Sequence, residues 1–455
     1  MKRIVPLIFY VVFFGVLNET VFNVSTPSIA AQYALTPPQV SWVVTIFIIT
    51  FGLGSVIYGK LSDIYSIRTL IVFGIVVYGV GSILGFAMQR WYPAVVLARG
   101  IQGAGASAIP ALVMVLVARY FTPEERSKLF GWMTSTVSFA VGVGPVIGGF
   151  VASKLHWSTL FLIPLLTLIA LPYFRKWIPQ EEKRPGKMDT LGATLLGVAV
   201  STLILYMTEP FWPFAVVSAA AFIWFVVHIR RAPHPFVEPA LFTNRFYRSG
   251  LVFGFIVFCT VMGIMFIVPL MLHHLYGLDT DSIGLVMFPG AISAVVFGTV
   301  AGRLTAKRGS HFVVLSGLIL VALGMVLLSG LIGNWIWFLS ATLVFMYVGM
   351  SFVQTALAES ITQILPPPRL GVGMGFFSLV SFISGAVGTA LVARAMDNSL
   401  FQIRLNPWIT DSHAYLYSNL ILLFGVVILL SGVYYFAVFG RQKQAIGETA
   451  AHHPH

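Results

Sequence analysis

The residues able to do chemistry in this 455-residue chain are few, and their setting makes them informative. Glu19 lies in Leu17-Asn18-Glu19-Thr20-Val21-Phe22-Asn23 and Arg99 in Ala98-Arg99-Gly100-Ile101-Gln102, each inside a long apolar run. Of the 15 Asp and Glu, only Glu19 and Glu359 fall clearly within such runs; of the 27 Lys and Arg, only Arg99 does. An ionisable group in the middle of a bilayer costs on the order of 3 kcal/mol or more and marks a functional position by default. A carboxyl beside a guanidinium is the chemistry of reversible proton uptake: Glu19 would accept the proton, and Arg99 would tune it through charge and hydrogen bonding. A static ion pair that locks helices together is the other reading. Asn18, Asn23 and Gln102 extend the same polar face, as lining of a substrate cavity or as interhelical hydrogen-bonders. Glu359, preceded by Gln354, sits near the end of its run and is a further cavity candidate, or a carboxylate that reaches the interface.

Two other groupings suggest moving parts. The turn Gly59-Lys60-Leu61-Ser62-Asp63-Ile64-Tyr65-Ser66-Ile67-Arg68 combines a glycine, a carboxylate and cations. There Asp63 could cap the N-terminus of a neighbouring helix or pair with Lys60 or Arg68, so that Gly59, Asp63 and Arg68 form a gate. The stretch Gly142-Val143-Gly144-Pro145-Val146-Ile147-Gly148-Gly149, with Gly131 before it, has glycines for close helix approach and a proline that kinks. Gly131, Gly144, Pro145, Gly148 and Gly149 are therefore candidates for a hinge and seal.

Other chemistries lack their residues. No G-x-x-x-x-G-K-S/T phosphate loop is present, which argues against ATP-driven transport by this chain alone; no H-E-x-x-H or G-x-S-x-G is present either, and no catalytic residue is assigned. The single cysteine, Cys259, excludes an internal disulfide and a multi-cysteine metal site. The ending His452-His453-Pro454-His455 is too short to count as a metal site, so no metal and no cofactor are expected, and a disordered tail is.

The elements that hold these residues follow from composition. Hydrophobic residues make up 58% and charged residues 9%, against roughly 25% charged in an ordinary soluble domain. The apolar runs approach 20 residues, the length of a membrane helix, not the ~10 of a barrel strand. The chain is expected to be an all-α polytopic membrane protein with fourteen spans: 5–28, 39–61, 69–88, 92–118, 128–152, 157–174, 189–208, 211–230, 248–273, 282–303, 311–331, 335–364, 371–396 and 415–439. The start Met1-Lys2-Arg3 reads as the entry to a retained first helix and not as a cleaved leader. With the N-terminus inside, 22 of the 27 cations fall in inside segments, among them Lys60, Arg119, Arg126, Lys128, Arg303 and Lys307. Only Arg90, Lys154, Arg394 and Arg404 fall outside, which places both termini in the cytoplasm. The net charge of +12 is thus a matter of topology and requires no nucleic-acid partner. On this path Glu19 is about ten residues and Arg99 about seven from the outer ends of their helices, ~15 and ~10 Å deep, so Arg99 is the lone buried cation and the two can pair. An internal repeat divides the chain: Gly59-Lys60-Leu61 after the second span returns 243 residues later as Gly302-Arg303-Leu304 after the tenth. The expected divisions are 1–175, a six-helix bundle; 176–247, a linker with two inserted helices; 248–440, a second six-helix bundle; and 441–455, a cytoplasmic tail.

Taken together, these motifs resemble the major facilitator superfamily in its fourteen-helix drug:proton antiporter branch. The family loop G-x-L-x-D-x-x-G-x-R/K is matched at Gly59, Leu61, Asp63 and Arg68, with Ser66 for the second glycine. The family motif R-x-x-Q-G-x-G-A is matched at Arg99, Gln102, Gly103, Gly105 and Ala106. The antiporter motif G-x8-G-x3-G-P-x2-G-G is matched at Gly131, Gly144, Pro145, Gly148 and Gly149, with Ala140 for one glycine. In L-D-x-T-x-x-N-V-x-x-P, the chain matches Leu17, Thr20, Asn23, Val24 and Pro27, with Asn18 for the aspartate and Glu19 beside it. Within the branch it looks most like the tetracycline exporters of Gram-positive bacteria. The resemblance implies a multi-pass protein of the bacterial cytoplasmic membrane, acting as a monomer on protons and a small-molecule drug, with the proton gradient as energy source and a divalent metal carried with the substrate. A metabolite or monovalent-cation antiporter, or a non-transporting sensor, are the alternatives. Val141, Ala306 and Gly385 stand where such exporters tend to carry acids, which suits a less charged cargo.

Overall fold

The computed structural model describes residues 2–35, 37–183, 188–208, 211–233, 235–278, 280–366, 369–396 and 399–451. Backbone alone is described at residues 2, 23, 24, 27, 37, 38, 41, 145, 146, 149, 152, 153, 208, 280, 281, 393, 394, 399, 400 and 441–451. The ending His452–His455 lies outside the described residues, as do the side chains of Asn23 and Pro145.

The described residues form helices and no strand. In a bilayer an α-helix satisfies every backbone group within its own segment, so long apolar runs have no other local solution. In order they are α1 (Val5–Tyr33), α2 (Pro37–Ser62), α3 (Ile67–Ala87), α4 (Tyr92–Ala106), α5 (Ala108–Tyr120), α6 (Pro123–Lys154), α7 (Leu171–Trp177), α8 (Thr190–Thr208), α9 (Trp212–Arg231), α10 (Pro239–Thr243), α11 (Arg245–Tyr276), α12 (Thr280–Arg308), α13 (Ser310–Leu331), α14 (Ile336–Ile364), α15 (Leu370–Met396) and α16 (Tyr415–Ala451). A 3-10 helix, Trp157–Ala170, leads into α7.

Thirteen helical stretches are long and apolar enough to cross a membrane among the described residues. They coincide with all the expected spans except 128–152, which lies on α6. Several boundaries move for local reasons. α11 begins at Arg245, three residues early, because the Asn244 side chain accepts from the amides of Phe246 and Tyr247. It stops at Gly277, whose φ of 63° is the left-handed conformation that closes a helix. The expected span 92–118 is interrupted at Ser107, after the glycine-rich Gln102-Gly103-Ala104-Gly105-Ala106, so α4 and α5 are separate.

Proximity along the folded chain groups the residues into two units. Unit 1 comprises Met1–Thr122, Thr136–Phe242 and Leu365–Ile383; unit 2 comprises Pro123–Ser135, Thr243–Ile364 and Ser384–His455. α6 and α15 each contribute one part to either unit.

Unit 1 has a core of Leu17, Val21, Phe22, Ile29, Val40, Val43, Val95, Ala98, Ala140, Trp157, Leu160 and Phe161. The Phe22 and Phe161 rings meet edge to face at 4.9 Å. α8 and α9 form a hairpin beside α2. One carboxylate fastens its base: Asp189 accepts from the amides of Gly192 (2.9 Å) and Phe236 (3.0 Å) and is bonded to His228 Nε2 (2.9 Å). Burial alone would raise its pKa, but these bonds hold it below the ordinary aspartate value. In unit 2, α14 packs between α12 and α13. A buried polar knot of Ser329, Asn406 and Ser418 ties the turn after α15 to α13 and α16.

Candidate functional site

Unit 1 assembles the first candidate group from α1–α4. Arg99, on α4, is fully buried. Its Nε donates to the Val43 carbonyl (3.0 Å) and its Nη1 to Gln102 Oε1 (3.0 Å). Its guanidinium carbon lies 4.1 Å from the Phe22 ring centroid and 4.2 Å from that of Phe47. Two faces of aromatic density thus replace the water a cation would lose, each contact being worth about 2 kcal/mol when desolvated. Gln102 Nε2 donates to Ser82 Oγ (2.8 Å), whose hydroxyl donates to the Tyr78 carbonyl (2.9 Å). The Tyr78 hydroxyl donates to the Phe14 carbonyl (3.3 Å).

Glu19 faces this group from α1 and interacts electrostatically with Arg99. The expected direct pair is not made: among the described residues no ion pair joins Glu19 to Arg99. The guanidinium is held instead by the Val43 carbonyl, Gln102 and the two phenylalanines. Arg99 Nη2 is buried without a hydrogen-bond partner among the described residues, and the buried Asn18 amide has the Tyr78 hydroxyl as its polar neighbour. An orphan such as Nη2 is costly and calls for a ligand or a water. The glycine motif of α6 lies against the same helix. A Cβ on Gly144 would meet Thr20, at 2.7 Å from its Cβ, and one on Gly148 would come 2.6 Å from the Val21 carbonyl. Gly144 and Gly148 therefore bring α6 onto α1 directly beside Glu19.

The turn after α2 is a second site. Gly59 packs on the backbone of Gly371 and Gly375, so that its Cβ would fall 3.2 Å from Gly375 Cα. This contact brings the first turn of α15 to Asp63, whose carboxylate takes backbone hydrogen bonds from Gly371 and Val372. Arg119, at the end of α5, donates to Asp63 Oδ1 (3.2 Å) and the Ser62 carbonyl (3.0 Å) and lies 3.5 Å from Glu181 Oε2. Glu181 also accepts from the Tyr120 hydroxyl (2.6 Å) and from the amide of Ile67, the first residue of α3 (3.3 Å). Asp63 thus takes up both roles open to it in the sequence, as helix cap and as ion-pair partner. The cation is Arg119 and not Lys60 or Arg68; Arg68 makes no ion pair among the described residues. Arg119 was readable only as an orienting charge and Glu181 only as part of a polar linker.

Burial pushes the Asp63 carboxyl up to about 6, against the opposing pull of Arg119, Lys60 and the two amides. The packed turn therefore binds a proton more tightly than an exposed aspartate, whose pKa is near 3.9. That contribution is complete at low pH and is lost as pH rises through about 6. The melting temperature should rise between pH 7 and pH 5, by the equivalent of about 1 kcal/mol from this group. Asp63→Asn should flatten that segment of a pH series of melting curves; identical slopes in variant and wild type would remove Asp63 as its source.

Unit 2 holds the third group. Glu359, on α14, is fully buried, as expected of a carboxylate within a span. It is clamped by Arg126 of α6, Nε at 3.0 Å from Oε2 and Nη2 at 2.9 Å from Oε1, and accepts from Gln363 Nε2 (2.9 Å). Arg99 is therefore not the lone buried cation: the Arg119 and Arg126 side chains are only 9% and 11% exposed. Both lie at helix ends, where a carboxylate partner offsets their burial. Close backbone contact continues along α6 and α12. A Cβ on Gly131 would fall 2.8 Å from Gly302 Cα, and one on Gly302 would fall 2.6 Å from the Ser127 carbonyl. One turn further, the hydroxyls of Thr355 and Thr134 are hydrogen-bonded at 2.9 Å. Gln354 is half-buried on the same helix. No cluster of three or more metal-ligating side chains occurs among the described residues.

Comparison with known proteins places this arrangement. Residues 8–389 match the model of the Major Facilitator Superfamily. The riboflavin transporter RibZ of Clostridioides difficile is 26% identical over 398 residues, covering 86% of this chain and 87% of the relative. The multidrug transporter protein MdtP of Bacillus subtilis is 24% identical over 413 residues, covering 87% of this chain and 76% of the relative. Among solved structures, the human organic anion transporter MFSD10 (TETRAN) superposes with a TM-score of 0.69 at 15% identity, over 95% of this chain and 99% of that one. The proton:xylose symporter XylE superposes with a TM-score of 0.65 at 14% identity, over 96% of each. At those identities the two structures speak for the fold alone.

Proposed function

The chain belongs to the Major Facilitator Superfamily, and we propose that within it the protein is a proton-coupled antiporter that exports a lipophilic, drug-like molecule. As a member of that family it is a multi-pass membrane transporter and not an enzyme. On the finer reading, α6 is a fourteenth span, both termini are cytoplasmic, the protein is a monomer of a bacterial cytoplasmic membrane, and α8–α9 are a pair inserted between two six-helix bundles. Transport proceeds by alternating access around a site near the bilayer midplane.

The observation that carries the reading is the group around Arg99. A carboxyl, Glu19, lies within electrostatic reach of a buried guanidinium that keeps one nitrogen unpaired, with the buried Asn18 amide on the same helix as Glu19. Glu19 takes a proton from outside and releases it inward; drug and proton compete for the same cavity. Kinship to a multidrug transporter supports a drug as cargo. Kinship to a riboflavin transporter supports a second reading, a flat polar metabolite as cargo on the same coupling site. Val141, Ala306 and Gly385 supply no carboxylates for a cationic metal–tetracycline complex, which favours an uncomplexed or weakly charged tetracycline-like molecule.

The test is purified protein in liposomes with an imposed pH gradient and an internal pH dye. Tetracycline with and without Mg²⁺, lipophilic cations, riboflavin, Na⁺ and K⁺ are added in turn. A drug that triggers proton release is the expected result. Release triggered by riboflavin alone would install the second reading, and release by none of them would overturn both.

A further inference from the structure

We propose that unit 2 carries a binding site for the phosphate of an anionic phospholipid, in the cavity where the start of α6 meets the end of α12. The cavity measures about 600 Å³ and is lined by Glu124, Ser127 and Lys128 of α6, Arg303 and Lys307 of α12, and Gln363 of α14. Glu124 is already matched by Lys128, at 2.6 Å. Arg303 and Lys307 are exposed and make no ion pair among the described residues. The lining therefore holds two uncompensated cations around a space large enough for a headgroup.

The internal repeat explains why the space is there. Gly59 and Gly302 do equivalent work, each letting a facing helix approach: α15 for the first, α6 for the second. Four residues after Gly59, Asp63 supplies a carboxylate to the first turn of α15. Four residues after Gly302 stands Ala306, which lines the cavity and supplies none. The second repeat thus keeps the close helix crossing and the cations but lacks the built-in anion. An anion from outside the chain takes its place.

The surface of α12 selects a lipid over a free ion. Leu285, Phe288, Ile292, Val296 and Val300 are all exposed, and their steps of three and four residues put them in one stripe along the helix. The next steps of three and four are Arg303 and Lys307. An apolar stripe that ends in two cations beside a cavity matches a molecule with acyl chains on one side and a phosphate on the other. The site does not depend on what the protein transports. Filling it links α6 to α12 across their glycine contact, next to the Arg126–Glu359–Gln363 network.

The test uses the full-length protein in detergent, titrated with short-chain phosphatidylglycerol, phosphatidylcholine or inorganic phosphate, and followed by native mass spectrometry and thermal unfolding. Phosphatidylglycerol should be retained at least tenfold better than phosphatidylcholine and should raise the melting temperature. Arg303→Gln with Lys307→Gln should lower that affinity about tenfold or more. Ala306→Glu, which supplies the missing carboxylate from within, should do the same while leaving both cations in place. Removing two cations elsewhere, with Arg230→Gln and Arg231→Gln, should change nothing. Retention unaffected by the cavity variants, or weakened as much by the Arg230/Arg231 control, would overturn the proposal. So would inorganic phosphate protecting as well as phosphatidylglycerol at equal concentration.

Discussion

Glu19→Gln is expected to abolish drug-driven proton flux, and with it uphill export, while leaving membrane insertion and folding intact. Glutamine keeps the shape and hydrogen-bonding capacity of the side chain and removes only the exchangeable charge. A proton moving down 100 mV releases about 2.3 kcal/mol, which sustains roughly a fortyfold drug gradient per proton. The variant should therefore lose a gradient of that size and let drug only equilibrate. The measurement is accumulation in everted vesicles alongside internal pH. Full accumulation in the variant would sink the assignment and leave Arg99 as a structural cation held by Phe22, Phe47 and Val43.

Arg126→Leu is expected to be the most destabilising single change in unit 2. It strands Glu359, which is fully buried, with Gln363 as its remaining partner. Removing one member of a buried ion pair costs about 3–5 kcal/mol, chiefly because a charge is left uncompensated. Replacing both members by apolar residues is far less harmful for the same reason. Arg126→Leu should thus lower the melting temperature in detergent by several degrees, and Arg126→Leu with Glu359→Leu should recover most of the loss. This pattern separates a charge effect from lost packing. If the double variant were as unstable as the single, packing at α6–α14 would be the cause; an unchanged single variant would mean that the clamp holds nothing.

The sequence carried the spans because hydropathy is a local property, written within each 20-residue run. It carried Glu19, Arg99 and Glu359 because an ionisable residue in such a run stands out without any partner being known. Asp63 and its glycine were legible as a turn with two possible roles. What the sequence did not carry was the identity of partners. Arg119 and Glu181 are 62 residues apart, and Arg126 and Glu359 are 233 apart; nothing in either neighbourhood points to the other. The same holds for the placement of Arg99 between two rings from different helices. Hydropathy also misjudged burial at helix ends, where Arg119 and Arg126 looked like solvated charges and turned out nearly enclosed.

The glycine crossings have a mechanical meaning. Where Gly59 lies on Gly371 and where Gly131 lies on Gly302, glycine meets glycine backbone to backbone. A glycine has no rotamers to freeze or free, so parting these glycines adds no side-chain entropic cost of its own. Smooth surfaces, however, have no preferred register of their own. Polar groups beside them provide it, as a detent provides the stop for a sliding bolt: Asp63 bonds the Gly371 and Val372 amides at the first crossing, and Arg126 ties α6 to Glu359 of the adjoining α14 at the second. In the alternating-access cycle proposed above, speed of movement and accuracy of closure would fall to different residues. A substitution that slows the cycle need not be one that blurs its end point.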